Sequence, residues 1–333
     1  MRKETNLHIP AGLIDPAEAA FAATAVLERL KMMVSEADGT KEGSDIEFVH
    51  RMRVASRRLR TALRVFADCL PRRPHKVWQR MVRRITRSLS RARDLDVQLE
   101  FVASYDTPRL KPRFRPGIER LELRLRQQRA GLQSEVVKRV EEFEASRVVE
   151  SIEDQLGPMA ESMQASNALC RRVRREIAGH LEEVLGFRAY VDRPECAAEL
   201  HKMRIAIKHL RYSLELFRPL FEDRLDPFID KAKAVQTLLG DLHDADVWIE
   251  LLPGFVRAER QRALEYSGSD RGLPRLVPGI EYLKGRVTAL RRKHYREFAR
   301  SWHQAEADRI WERLAEVAGE GTMAGSQSPI TSS

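Results

Sequence analysis

Fifteen basic side chains, fourteen Arg and one Lys, lie between His50 and Arg93 against a single acid, Asp68. That segment alone carries +14, whereas the remaining residues hold 44 basic and 48 acidic side chains, so the formal net charge of +10 comes from one local feature. Arg dominance matters chemically. A guanidinium presents a planar fork of donors that matches phosphate oxygens two at a time. Like charges three and four positions apart also destabilise a helix, by a few tenths of a kcal/mol each, so a sequence that accumulates them gains something from an anion.

Helical geometry sorts the charges. At about 100° per residue from His50, the side chains of Arg60, Arg53, Arg64 and Arg57 fall at roughly 280°, 300°, 320° and 340°. The apolar residues Ala62, Ala55, Phe66, Leu59, Met52 and Leu63 fall between roughly 120° and 220°. A second helix repeats the arrangement. Measured from Arg80, the residues Arg83, Arg87, Arg91 and Arg84 lie between roughly 300° and 40°, and Met81, Val82, Ile85 and Leu89 take the opposite side. Two antiparallel helices with such ridges would form a positively charged groove. Aromatics are nearly absent from the ridges, with only Trp78 nearby. Single-strand nucleic-acid binders normally offer stacking platforms, so a base-free phosphate polymer suits this surface better.

The elements that position these residues are written twice. HRMRVASRRLRTALRVF from His50 recurs as HKMRIAIKHLRYSLELF from His201. RDLDVQLE from Arg93 recurs as HDADVWIE from His243, and PGIE at 116–119 recurs, at a somewhat wider spacing, at 278–281. Hydrophobic residues make up 43% and charged residues 32%, with few Gly and Pro and no convincing period-two alternation; this excludes a disordered chain and a β sandwich or barrel. The helices are expected at roughly 17–37, 46–69, 75–92, 94–105 and 117–156, and again at roughly 160–189, 196–218, 226–242, 244–266 and 278–318. Asp45, Asp94 and Asp244 are read as helix N-caps. The expected fold is all-α: two four-helix bundles from an internal duplication, related by a pseudo-two-fold axis, with a basic central groove. A tail at 1–16 precedes the first repeat (17–156), the second repeat spans 157–318, and residues 319–333, small and polar, are expected to be disordered. The three cysteines have no ligand spacing and read as reduced, buried thiols, and no signal-peptide or membrane-spanning run appears, which points to the cytoplasm.

At these blocks the sequence resembles the CHAD family, the conserved histidine α-helical domain, over about 20–318. The family pattern, a His-x-x-Arg-Val-Ala-x-Arg-Arg-x-Arg helix followed by Lys-x-x-Gln-x-x-Leu-Gly-x-x-Arg-Asp-x-Asp-Val, is matched by HRMRVASRRLR and RDLDV, and by HKMRIAIKHLR and KAVQTLLGDLHDADV. The resemblance implies non-catalytic binding of inorganic polyphosphate and, for some members, association with polyphosphate granules. It implies a binding set of His50, Arg53, Arg57, Arg60, Arg83, His201, Arg204, Lys208, Arg211 and Lys233, to which the ridge geometry adds Arg64, Arg84, Arg87 and Arg91. The second copy departs from the pattern at His209 and His243, where Arg is usual, and keeps fewer cations. The first copy has Arg83-Arg-Ile-Thr-Arg where Lys-x-x-Gln is usual.

Rival chemistries are weaker. Two metal-ligating His on one helix turn stand four apart, whereas His201 and His209 are eight apart. Asp94, Asp96, Asp244 and Asp246 suit capping and ion pairs, or a hard cation bridging to phosphate. No phosphate loop, nucleophile elbow or dinucleotide turn is present, so neither a cofactor nor catalysis is expected. Nucleic acid is the alternative partner, because any phosphate backbone is drawn to a basic groove.

Overall fold

The computed structural model describes residues 15–105, 108–160 and 166–320, whose elements are all helices, joined by turns and loops. The first half comprises α1 (Pro16–Val34), the short α2 (Ala37–Glu42), α3 (Ile46–Val65), α4 (Arg72–Ala103), α5 (Arg115–Ala145) and α6 (Val148–Leu156). The second comprises α7 (Asn167–Leu185), α8 (Ala197–Phe217), α9 (Asp226–Ser267), α10 (Val277–Ala307) and α11 (Ile310–Glu320). Pairings recur in the same order: α1 on α3, α3 on α4 and α4 on α5, then α7 on α8, α8 on α9 and α9 on α10. Asp45 caps α3 as expected, its Oδ1 accepting from the Glu47 N–H at 2.8 Å. The expected tails fall outside the described residues, except that Asp15 caps α1, Pro16 opens it, and Gly319 and Glu320 close α11.

Two expected helix boundaries are corrected. Asp94 and Asp244 cap nothing: each lies inside one long helix, α4 or α9. Their carboxylates, and those two positions on, face other helices instead of the local backbone. Conversely, the spans expected as single helices to 156 and 318 are broken at Arg147 (φ 53°) and Arg309 (φ 52°). A left-handed residue ends the backbone ladder, and the short helix beyond it folds back, α6 onto α1 and α4, α11 onto α7 and α9. The two breaks stand at the same spacing as the PGIE blocks. Of the cysteines only Cys69 is buried; Cys170 and Cys196 are half-buried, and none of the three is in a disulfide.

Both apolar cores draw on both halves. In the main core the stripe of α3 (Met52, Ala55, Leu59, Leu63) is buried with Met203, Leu210 and Leu214 of α8. The phenylalanines that end the repeated motif, Phe66 and Phe217, meet edge-on with ring centroids 6.1 Å apart, and Phe21 of α1 completes the trio. A second core joins Ile118, Leu121 and Leu125 of α5 to Trp248, Leu252, Ile280 and Leu283 of α9 and α10. There the PGIE blocks touch each other. Gly117 and Gly279 bring their Cα atoms so close that a Cβ on Gly117 would strike the Leu276 carbonyl, and one on Gly279 the Phe114 carbonyl. The repeated glycines are thus a reciprocal backbone contact that no larger residue permits.

Candidate anion-binding recess

Packing of α3 against α8 brings their cationic side chains together. Lys208 of α8 sits among Arg57, Arg53 and Arg60 of α3 and Arg204 of its own helix; burial first, and then these cations, push its pKa down to about 8. Burial and Arg57 lower Arg53 to about 10. Arg60 is lowered by burial and by Arg83, Arg57 and Arg87, which brings these two α4 arginines, Arg83 and Arg87, into the same cluster. Among the described residues, none of Arg53, Arg57, Arg60, Arg83, Arg87, Arg204 or Lys208 forms an ion pair. The Nε atoms of Arg53 and Arg204, which hold equivalent positions in the two copies, are buried without a hydrogen-bond acceptor. An unmatched buried donor costs about 1–3 kcal/mol, and a bound anion would remove that cost.

Acids enter the recess at two places. Asp94 and Asp244 reach solvent, yet the surrounding protein desolvates them and raises their pKa against the pull of Arg204 and, for Asp94, of Arg53 and Arg57. The second aspartate of each DxD block is already committed. Asp96, 2% exposed, pairs with Arg129 of α5 at 2.6 Å, and Asp246 pairs with Arg291 of α10. Arg129 and Arg291 carried no local motif in the sequence, although their spacing repeats that of the PGIE blocks.

The structure divides the expected binding residues. Arg84 and Arg91 turn to α5, where Arg84 meets Glu142 at 3.5 Å and Arg91 meets Glu135 at 3.0 Å. They occupy the flank of the ridge on which α5 packs. Arg211 lies 3.5 Å from Glu215, which Arg58 also engages at 3.0 Å, so its charge is partly matched. Arg64 donates to His180 at 3.3 Å. Lys233 is exposed on α9, with no described contact to the cluster. His50 and His201 are held below the ordinary imidazole pKa by burial and by Arg53 and Arg204 respectively. They are therefore neutral at pH 7 and supply hydrogen bonds, not charge. The Nδ1 of His201 lies 3.1 Å from Nδ1 of His243.

A 610 Å³ cavity lies elsewhere, between the α5 and α9 arms. Its guanidiniums converge on one carboxylate, Glu259, which is 2.7 Å from Arg124, 2.6 Å from Arg262 and 3.8 Å from Arg120, so all three already share an anionic partner. No expected binding residue lines it.

The CHAD domain family model matches residues 24–253. The fold is similar to the crystal structure of the CHAD domain from the plant Ricinus communis, with a TM-score of 0.63 and 22% identity over 86% of this chain and 91% of that one. It is also similar to PptA from Streptomyces chartreusis, with a TM-score of 0.57 and 14% identity over 87% of this chain and 100% of that one. Among curated proteins no match was found.

Proposed function

Because the chain belongs to the CHAD domain family, we propose that it binds inorganic polyphosphate, without catalysis, in the recess where α3, α4 and α8 converge. One observation carries this reading: seven cationic side chains from three helices share the recess with no ion pair among the described residues, two of them with buried, unmatched Nε donors. Six of the seven are arginines, whose forked donors take two phosphate oxygens each. The aromatic side chains argue against nucleic acid. Trp78 is 1% exposed and donates its Nε1 to Ser151, and Tyr212 is 7% exposed, so neither offers a face for a base to stack on. Asp94 and Asp244 remain open to a divalent cation carried by the polymer, whereas Asp96 and Asp246 are spent on Arg129 and Arg291. No helix among the described residues is long and apolar enough to cross a membrane. Recruitment to polyphosphate granules would follow from the same recess.

The test is a titration of the protein with polyphosphates of several lengths, beside the Arg53→Glu, Arg57→Glu double variant. Salt-dependent binding that the variant loses, with helicity by circular dichroism unchanged, supports the proposal. Binding that survives the double charge reversal refutes it.

A further inference from the structure

The two ends of the α3–α8 contact carry opposite charge arrangements. At one end, Arg58 of α3 engages Glu215 of α8 at 3.0 Å, and Arg29 of α1 stands near both. At the other end the equivalents of these three in the opposite copy meet in the same way: His209 of α8, Arg64 of α3 and His180 of α7. The first end holds an anionic side chain between two cations. The second holds a cationic side chain against two imidazoles, with ring centroids 5.8 Å apart, and a carboxylate, Glu183, whose Oε2 is 3.5 Å from His180 Nδ1. Glu176 adds a second carboxylate 3.8 Å from His180 Nε2. This end is built to host a cation, and Arg64 is the resident one.

We propose that His180, Glu183 and His209 form a site for a divalent transition-metal ion of the zinc class, in competition with the Arg64 guanidinium. One ligand atom from each of the three lies within 4.8 Å of the others, before any ion draws them in. Tetrahedral bonds of about 2.0–2.2 Å to imidazole and carboxylate place such atoms roughly 3.4 Å apart, a closure within reach of side-chain rotation. Two imidazoles and one carboxylate suit zinc, nickel and copper far better than calcium or magnesium. Metal ligation needs neutral imidazole, and burial, with Lys208 and Arg64, keeps His209 in that form, with its pKa lowered to about 4. Three protein ligands leave one position for water. Arg64 is exposed and on a long side chain, so it can leave. No phosphate takes part, so the site stands apart from the polyphosphate reading.

The experiment is calorimetric titration of the chelator-treated, full-length protein with Zn²⁺ in the absence of phosphate. The expected result is one Zn²⁺ per chain. His180→Ala and His209→Ala should each weaken it by more than the roughly 10–100-fold that losing a mere supporting contact costs. Glu183→Gln, at an exposed position where folding is not at stake, should weaken it too. Arg64→Ala should tighten it, because the competing cation is gone, and an adventitious surface ion would not respond in that direction. A wild-type chain that takes up no Zn²⁺, a Glu183→Gln variant that binds like wild type, or an Arg64→Ala variant with unchanged or weaker affinity overturns the proposal.

Discussion

Arg57 and Arg91 share the arginine-rich segment, but the structure gives them different fates, and salt dependence separates them. Arg57 belongs to the cluster around Lys208, whereas Arg91 is matched by Glu135 at 3.0 Å. If a polyphosphate chain engages the seven unpaired cations, the logarithm of its affinity should fall with the logarithm of salt concentration. The slope should be about −5, taking the coefficient of about −0.7 per contact for single-stranded phosphate chains. Between 50 and 200 mM salt that is a loss of about a thousandfold. Arg57→Gln removes one contact, so the slope should flatten to about −4. Losing a charge-assisted hydrogen bond of about 1.5–3 kcal/mol should weaken binding by roughly ten- to a hundredfold. Arg91→Gln removes only a surface ion pair, worth about 0.2–1 kcal/mol, and should leave the slope unchanged. Fluorescence anisotropy of an end-labelled polyphosphate at four or five salt concentrations measures both quantities. Equal flattening in the two variants, or a wild-type slope near zero, would refute the division of the ridge.

Other consequences are as specific. Lys208 loses its proton near pH 8 in the free protein, so polyphosphate affinity should be level below that pH and weaken from pH 8 to 9, before Arg53 is reached; Lys208→Arg should abolish this decline in the same assay. Gly117→Ala and Gly279→Ala should each destabilise by about 1–3 kcal/mol through overpacking, whereas Gly131→Ala, in the same helix as Gly117 but with nothing within 4 Å of the new Cβ, should stabilise by about 0.5–1 kcal/mol; thermal denaturation ranks the three. Arg129→Met strands the buried Asp96 carboxylate and should cost about 3–5 kcal/mol in denaturant unfolding.

Local periodicity made much of this molecule legible. The buried stripe of α3 and the basic stripe beside it follow from residues spaced three and four apart, because helix packing reads the same period. The internal repeat pairs Phe66 with Phe217, which meet in the core, and Arg53 with Arg204, whose Nε atoms are both buried without an acceptor. What periodicity could not supply was the identity of the neighbour across a flank. On α4, Arg83 and Arg87 differ from Arg84 and Arg91 by a modest rotation about the helix axis, and only the placement of α5 decides which pair finds carboxylates. The DxD aspartates resemble caps because short acidic residues favour helix starts, but Asp96 and Asp246 are held within continuous helices by arginines from the next long helix, Arg129 of α5 and Arg291 of α10. In the His180, Glu183 and His209 group, only His180 and Glu183 share a helix turn, and His209 joins them from α8 across the helix packing.

A recess built for a base-free phosphate polymer should prefer it to any nucleic acid. The most direct measurement is competition: the protein is loaded with labelled long-chain polyphosphate at physiological salt and challenged with duplex DNA or with RNA at equal phosphate concentration. The label should stay bound, and unlabelled polyphosphate should release it. Displacement by either nucleic acid under those conditions would contradict that preference.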